Sequence, residues 1–177
     1  MTKDFYLVPA LNSMSQEEIR QYQEKKLTVQ LRYCYAHSEF YRKKFEQAGA
    51  LPEDIRTIED LRKLPVFMVK DDERSSSQES LERFGHPFGM HLCAPVDELY
   101  LTGTTSGTTG IPTFSYTFTR KDIEFIGKQL GHRLSIAGIG KGDRVVFFFA
   151  LGIYATTMTL WGLRELGALP IDIDARA

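Results

Sequence analysis

The sequence has no excess of charge of either sign and no long apolar run. Its 22 lysines and arginines nearly balance its 23 aspartates and glutamates, which leaves a formal net charge of −1. That balance offers no electrostatic attraction to nucleic acid or to an anionic membrane, so we expect neither as a partner. The longest apolar run covers residues 145–151. A membrane-spanning helix needs roughly 20 apolar residues, so this run is too short to form one.

Cysteine is scarce, and no secretion signal is recognisable. The two cysteines, Cys34 and Cys93, lack C-x-x-C spacing, which argues against both a zinc site and a disulfide scaffold. The histidines also lack metal-ligand spacing, so we predict no metal site. Near Met1 no basic-then-apolar segment precedes a small-residue cleavage site, and we therefore expect a cytoplasmic protein.

The most informative segment is a loop that is dense in glycine and hydroxyl side chains. Residues 100–113 have the sequence YLTGTTSGTTGIPT, and residues 103–110 alone contain five Ser/Thr residues and three glycines. Glycine lets the backbone approach an anion closely, while N–H groups and hydroxyls donate to phosphate oxygens. A flexible linker has a similar composition. Here, however, residues 99–101 indicate a strand end before the loop and residues 113–117 a β-prone run after it, so we predict a phosphate-binding loop.

The loop does not fit the Walker pattern, because no lysine occurs between Gly103 and Thr119. It also lacks the dinucleotide fingerprint. It resembles the signature T-S-G-T-T-G-x-P-K of the adenylate-forming (acyl-CoA synthetase) superfamily. The positions that match in register are Thr105, Ser106, Gly107, Thr108, Thr109, Gly110 and Pro112. Thr113 stands where most members carry lysine, and threonine there is typical of the phenylacetate–CoA ligase branch.

The resemblance to this family extends over nearly all of residues 31–174. In residues 31–74 it includes an H-x-x-F-Y-R motif and an I-x-x-L-E-D-L-x-x-L-P-like stretch. The residues that carry it are His37, Phe40, Tyr41, Arg42, Ile58, Glu59, Asp60, Leu61, Leu64, Pro65, Lys70 and Asp71. Residues 138–152, GIGKGDRVVFFFALG, resemble the family's G-x-x-P-G-D-x-V strand entry, and residues 161–174 resemble its next helix and strand.

The resemblance implies an ATP-dependent, AMP-forming acid:CoA ligase. Such an enzyme activates an aryl or other organic carboxylate as an acyl-adenylate and transfers the acyl group to CoA, using ATP, Mg²⁺ and CoA. It also implies a set of ATP phosphate-binding residues, namely Thr104, Thr105, Ser106, Gly107, Thr108, Thr109, Gly110 and Thr113. Part of the acid pocket is implied at Ala150, Gly152 and Tyr154. The family's Y-G-x-[ST]-E motif and late lysine are not found, so we expect no catalytic residue within residues 1–177 and no activity from them alone.

Two other functions fit the same residues. One is an adenylating enzyme whose acceptor is not CoA but a carrier protein or a deazaflavin cofactor. The other is a short, non-catalytic nucleotide-binding or assembly module, whose uncovered sheet edge would favour self-association. A homodimer is left open in every case.

The pattern of elements predicts an α/β fold with a helical N-terminal region. Ser15 and Glu18 form a capping box before a helical pattern that continues toward Phe45. We expect the serine-rich residues 75–80 to be irregular. Thr119 caps a predicted helix that runs to about Ala137.

A strand at residues 144–150, a helix at 156–166 and a strand at 169–173 then predict parallel pairing, with the first strand buried on both faces. We therefore predict a helical region over residues 1–98. Residues 99–177 are predicted to contain the phosphate loop and the start of a mostly parallel sheet covered by helices. Both would belong to one incomplete N-terminal large domain of an adenylate-forming enzyme.

Overall fold

A computed structural model describes residues 13–103, 116–148 and 154–173. In these ranges the chain forms five α-helices, four strands and three short 3-10 helices. The α-helices are α1 (Gln16–His37), α2 (Glu39–Gln47), α3 (Lys70–Phe84), α4 (Arg120–Ile136) and α5 (Tyr154–Leu166). The strands are β1 (Leu99–Gly103), β2 (Tyr116–Thr119), β3 (Arg144–Phe147) and β4 (Leu169–Asp172). The 3-10 helices are Pro52–Asp54, Glu59–Lys63 and Val96–Glu98.

The described residues fall into two compact units, a helical unit at residues 13–96 and an α/β unit at residues 97–173. That residues 1–98 and 99–177 are parts of one larger domain stays a prediction.

In the helical unit, α1 begins as predicted. The Ser15 N–H donates to Glu18 Oε2 at 2.7 Å, and the Glu18 N–H donates back to Ser15 Oγ at 3.3 Å. The helical pattern does not run unbroken to Phe45, however. Ser38 leaves the helical conformation at φ −133° and ψ 123°, and its hydroxyl accepts from the Tyr41 N–H as the cap of α2. A serine that can cap a new helix therefore divides the predicted one.

The predicted irregular stretch at residues 75–80 is wrong, because these residues lie inside α3. Ser76 and Ser80 are buried, and their hydroxyls bond to the chain that follows the helix. Ser76 Oγ accepts from the Met90 N–H at 2.8 Å. Ser80 Oγ accepts from the Gly89 N–H at 2.9 Å and donates to the His86 carbonyl at 2.7 Å. The serines thus form a polar buried face, which a search for apolar periodicity does not detect.

In the α/β unit, β1 and β2 pair antiparallel, and Thr119 caps α4 through a capping box with Asp122. The helix α4 packs against α5. Buried Ile123 and Met158 form one core cluster with Tyr116. A second cluster lies between α5 and β3 and contains Phe147, Leu163, Leu166 and Ala168.

The strands β3 and β4 pair in parallel across the α5 connection, with Arg144 opposite Leu169 and Phe147 opposite Asp172. This confirms the predicted strand–helix–strand order and the α/β fold class. Burial of β3 on both faces was also predicted, and here the structure differs. Phe147 is buried, but Val146 is 45% exposed and the adjoining Phe148 is 65% exposed. Within the described residues, therefore, only one face of β3 is covered.

Candidate functional site

The predicted phosphate-binding residues lie outside the described part of the chain. These residues are Thr104, Thr105, Ser106, Gly107, Thr108, Thr109, Gly110 and Thr113. Ala150 and Gly152 of the predicted acid pocket also lie outside it, and Tyr154 is described only as the first residue of α5. The binding roles of all these residues stay predictions. The structure does describe the strands β1 and β2 on either side of the loop, and the strand β3 and helix α5 on either side of the predicted pocket segment.

The two ends of the loop are attached to neighbouring strands. Gly103 at the end of β1 is paired with Tyr116 at the start of β2, so residues 104–115 connect two directly opposite positions. Thr102 Oγ1 donates to the Tyr116 carbonyl at 3.1 Å and lies 3.3 Å from Thr117 Oγ1. Because opposite residues of an antiparallel pair lie about 5 Å apart, the ladder holds the loop ends close together.

Tyr116 closes over Gly103 at this entrance. A Cβ atom built on Gly103 would lie 1.9 Å from Tyr116 Oη and 2.2 Å from its Cζ, so a side chain at position 103 would collide with the ring. Tyr116 is only 8% exposed and its ring contacts Phe118, with ring centroids 5.4 Å apart. The sequence pattern counts Gly103 among the loop glycines but does not reveal this contact, which depends on the strand register.

The cation nearest the loop in sequence is Arg120, which follows the end of the hairpin opposite the loop attachment. Arg120 follows Thr119, which pairs with Leu99 at the opposite end of the ladder from Gly103. At about 3.3 Å per residue, Arg120 lies more than roughly 10 Å from the loop ends. Its guanidinium instead lies over the Tyr100 ring, 4.2 Å from the centroid.

The predicted acid-pocket segment follows the carboxyl end of β3, which pairs in parallel with β4. The Ile173 N–H donates to the Phe147 carbonyl at 2.9 Å, which extends the pairing to the last described residues of both strands. Residues 149–153 follow β3 at this edge. Open α/β sheets bind ligands outside the carboxyl ends of their strands, so the predicted acid pocket follows the edge where such a pocket is expected.

Each unit has a groove among its described residues. A groove of about 450 Å³ lies between α4 and α5 and is lined by residues that include Phe125, Ile126, Leu130, Arg133 and Met158. A groove of about 260 Å³ in the helical unit is lined by residues that include His37, Glu39, Phe84 and His86. No predicted site residue lines either of these grooves.

No group of three or more His, Cys, Asp or Glu side chains within residues 13–103, 116–148 and 154–173 is arranged to hold a metal ion. None of the helices that the structure describes combines the length and apolar character that crossing a membrane requires.

Solved structures of CoA ligases share this fold. A crystal structure of 2-hydroxyisobutyryl-CoA ligase in complex with 2-HIB-AMP and CoA, in the thioesterification state, matches with a TM-score of 0.82 and 29% identity. The match covers 97% of this chain and 35% of that one. An open conformation of the same ligase with 2-HIB-AMP and CoA matches with a TM-score of 0.82 and 27% identity. The described residues therefore share the fold of part of these CoA ligases.

No family model matches the chain. Curated relatives indicate which kind of CoA ligase it resembles. A phenylacetate–coenzyme A ligase of Pseudomonas putida is 30% identical over 172 residues, which are 97% of this chain and 36% of the relative. A phenylacetate–coenzyme A ligase of Escherichia coli (strain K12) is 28% identical over 165 residues. The chain spans about a third of the length of the curated relatives it matches. The resemblance found in the sequence is confirmed: the chain is phenylacetate–CoA ligase-like.

Proposed function

We propose that this chain is the ATP phosphate-binding part of an AMP-forming acid:CoA ligase. The enzyme activates an aryl or other organic carboxylate as an acyl-adenylate and passes the acyl group to the CoA thiol. The observation that carries the proposal is the loop, where seven signature positions agree in register on a chain with a CoA-ligase fold. The relatives' name and the neighbouring complexes with 2-HIB-AMP and CoA support both half-reactions.

In the first half-reaction a carboxylate oxygen attacks the α-phosphorus of ATP, and pyrophosphate leaves. Negative charge accumulates on the leaving group, so hydrogen-bond donors placed around it lower the barrier. The threonine and serine hydroxyls and the backbone N–H groups of residues 104–110 are such donors, and their glycines permit close approach. The β1–β2 ladder supports this role because it fixes both ends of the loop.

The loop donors suit phosphate but supply no positive charge. Thr113 is neutral, and Arg120 is held over Tyr100 at the far end of the hairpin. When bound, Mg²⁺ would supply positive charge beside the phosphate oxygens, and hydroxyl and phosphate oxygens are the ligands that it accepts. We propose that Ala150, Gly152 and Tyr154 line part of the acid pocket, because they follow the carboxyl edge of β3.

Titration of the 177-residue chain with ATP and Mg²⁺ in a calorimeter tests the loop assignment. We expect Gly107→Val to abolish binding, because a branched side chain blocks the approach of phosphate to the backbone. Thr113→Lys should tighten binding about tenfold, the size expected for a new charged hydrogen bond. Ala137→Lys is the matched control: it adds the same charge at an exposed position beyond α4 and should leave affinity unchanged.

Circular dichroism of each variant checks that the fold is retained. If folded Gly107→Val bound ATP as tightly as the unaltered chain, the loop assignment would be wrong. Equal affinity gains for Thr113→Lys and Ala137→Lys would show a general charge effect, not a contact with phosphate at position 113.

A further inference from the structure

Residues 89–91, which follow α3 in the helical unit, are held against α2 and α3 by hydrogen bonds to buried serines. The Met90 N–H donates to Ser76 Oγ of α3 at 2.8 Å. The Met90 carbonyl accepts from Ser38 Oγ, the cap of α2, at 2.8 Å. Ser76 Oγ also lies 2.9 Å from His91 Nδ1. Because Ser38, Ser76 and Met90 are all buried, these bonds form one polar network that includes the His91 ring.

The His91 ring fits closely beside Ser76. A Cβ atom built on Gly89 would lie 2.2 Å from His91 Cε1 and 2.4 Å from Nδ1, so the ring fills the space next to this glycine. Gly89 also has φ +89°, a conformation that other residues rarely adopt. On the α2 side, the Phe40 ring meets the imidazole at 73°, with ring centroids 6.1 Å apart. The imidazole therefore has little room to turn away from Ser76.

The hydrogen bonds of Ser76 indicate the protonation of His91. A hydroxyl group has one hydrogen to donate, and Ser76 Oγ already accepts from the Met90 N–H. We therefore assign the Ser76 hydrogen to His91 Nδ1, which can accept it only when it carries no proton. The neutral ring then has its proton on Nε2. Burial also lowers the pKa of His91 from its ordinary value of 6.5.

No charged group in the described residues stabilises a proton on this ring, because burial alone shifts the pKa of His91. The ion pairs of α2 and α3, the two helices that contact the ring, are Glu39–Lys43, Glu39–Arg83, Lys44–Asp72, Arg74–Asp71 and Arg83–Glu79. Other titratable groups beside residues 89–91 are His37 of α1, His86, and Cys93, whose Sγ donates to the His91 carbonyl at 3.6 Å.

We propose that His91 is an acid-sensitive latch, which holds residues 89–91 against α3 when it is neutral and releases them when it is protonated. A proton on Nδ1 turns the acceptor of the Ser76 hydroxyl into a donor. Ser76 must then turn its hydrogen away from the ring, which leaves a buried hydroxyl without this acceptor. A charged ring also needs water, which it gains when residues 89–91 move away from α3. The latch lies within the helical unit and does not depend on the ligase function.

Nuclear magnetic resonance of the 177-residue chain at a series of pH values tests the latch. The ring nitrogen shifts of His91 report its tautomer and its protonation, and amide exchange, corrected for the intrinsic effect of pH, reports whether Met90 is held. We expect the proton on Nε2 at neutral pH. As His91 becomes protonated below pH 6.5, the Met90 amide should become less protected. The expected loss is at least about tenfold, the effect of one buried hydrogen bond, while the amides of α4 keep their protection.

Two pairs of variants separate the latch from general packing. His91→Asn keeps an acceptor near the Nδ1 position but cannot take up a proton, so protection of Met90 should not depend on pH in this variant. Ser76→Ala should lower the protection of Met90 at every pH. Ser77→Ala is its matched control, because Ser77 Oγ is buried and has no hydrogen-bond partner among the described residues. We expect Ser77→Ala to leave Met90 protected.

The stability of the chain gives a second readout. A histidine with a lowered pKa in the folded state takes up its proton more readily in the unfolded chain, so protonation favours unfolding. The unaltered chain should therefore lose stability relative to His91→Asn as the pH falls below 6.5. Urea unfolding of both chains at a series of pH values measures this difference.

Four results would overturn the latch. The first is a proton on Nδ1 at neutral pH, and the second is a ring that stays neutral wherever the chain is folded. The third is protonation of His91 with unchanged protection of Met90. The fourth is a simultaneous loss of protection in α4, which would show acid unfolding of the whole chain and no local release. All four come from the unaltered protein, so they stand even if a variant fails to fold.

Discussion

At the scale of single residues, Gly103 has room for a hydrogen atom and little else on the side that faces Tyr116. A methyl group there would lie 1.9 Å from Tyr116 Oη, so the ring or the strand must move. We expect Gly103→Ala to lower the free energy of unfolding by about 1–3 kcal/mol, the usual cost of overpacking. Urea unfolding followed by circular dichroism measures this change.

The control for this steric explanation is a double-mutant cycle with Tyr116→Ala. Removing the ring destabilises the chain by itself, because Tyr116 is buried. It also removes the obstacle, so adding Gly103→Ala in that background should cost close to nothing. An equal cost of Gly103→Ala in both backgrounds would mean that the ring is not what excludes a side chain.

A second residue-scale feature is the ion pair between α2 and α3. Glu39 accepts from Arg83 Nη1 at 3.2 Å and Nη2 at 3.0 Å, and Lys43 Nζ lies 2.7 Å from Glu39 Oε1. These bonds, first from Arg83 and then from Lys43, lower the pKa of Glu39 from an ordinary 4.5 to about 2. A lowered carboxyl pKa contributes stability that is present above pH 4.5 and is lost as the pH falls toward 2.

We therefore expect the difference in unfolding free energy between the unaltered chain and Glu39→Gln to shrink as the pH falls through this window. Urea unfolding at a series of pH values measures it, and added salt should reduce the effect because the pair is exposed. Glu46→Gln, which removes the same charge from the same helix, is the control and should not reproduce the pH dependence. A difference that stays constant from pH 7 to pH 2 contradicts the expectation.

At the scale of elements, α4 and α5 approach closely because glycines lie between them. A Cβ on Gly162 would lie 2.7 Å from Leu130 Cβ and 3.0 Å from the Gly131 nitrogen. A Cβ on Gly127 would meet only Glu165 Cγ at 3.2 Å, with Trp161 atoms at 3.6 Å and beyond. The atoms that a Cβ on Gly162 would meet include backbone, whereas the nearest atom to a Cβ on Gly127 belongs to a side chain that can rotate.

The same substitution at these two positions should therefore have different effects. We expect Gly162→Ala to destabilise the chain by about 1–3 kcal/mol, because α4 and α5 must separate. Gly127→Ala should be close to neutral or stabilising, since alanine gains up to about 1 kcal/mol of helix propensity. Urea unfolding of the two variants side by side tests this. Equal losses would show that the glycines do not control the distance between the helices.

Also at the element scale, predictions from local signals were more reliable than predictions from composition. The capping box at Ser15 and the helix cap at Thr119 were predicted and are present, because a cap involves residues only three positions apart. The helix over residues 75–80 was not predicted. Its buried serines form hydrogen bonds with the backbone of Gly89, Met90 and His86. A local sequence pattern does not reveal partners at that distance along the chain.

At the scale of the whole molecule, the α/β class and the relationship to CoA ligases were predictable from the sequence. The hydroxyl and glycine loop is a dense local pattern, and β3, α5 and β4 follow each other directly along the chain. The predicted burial of β3 on both faces is not met in the described residues, because a cover for Val146 and Phe148 would have to come from elements that the local sequence does not reveal. The roles of the loop and pocket residues stay predictions.

The sequence by itself determined the starts of α1 and α4 and the parallel order of the last two strands, because each depends on residues close together in the chain. Only the tertiary structure showed that Tyr116 lies over Gly103 and that Arg120 sits at the far end of the hairpin from the loop. These contacts arise from strand register and helix packing, which join residues whose separation in sequence carries no local pattern.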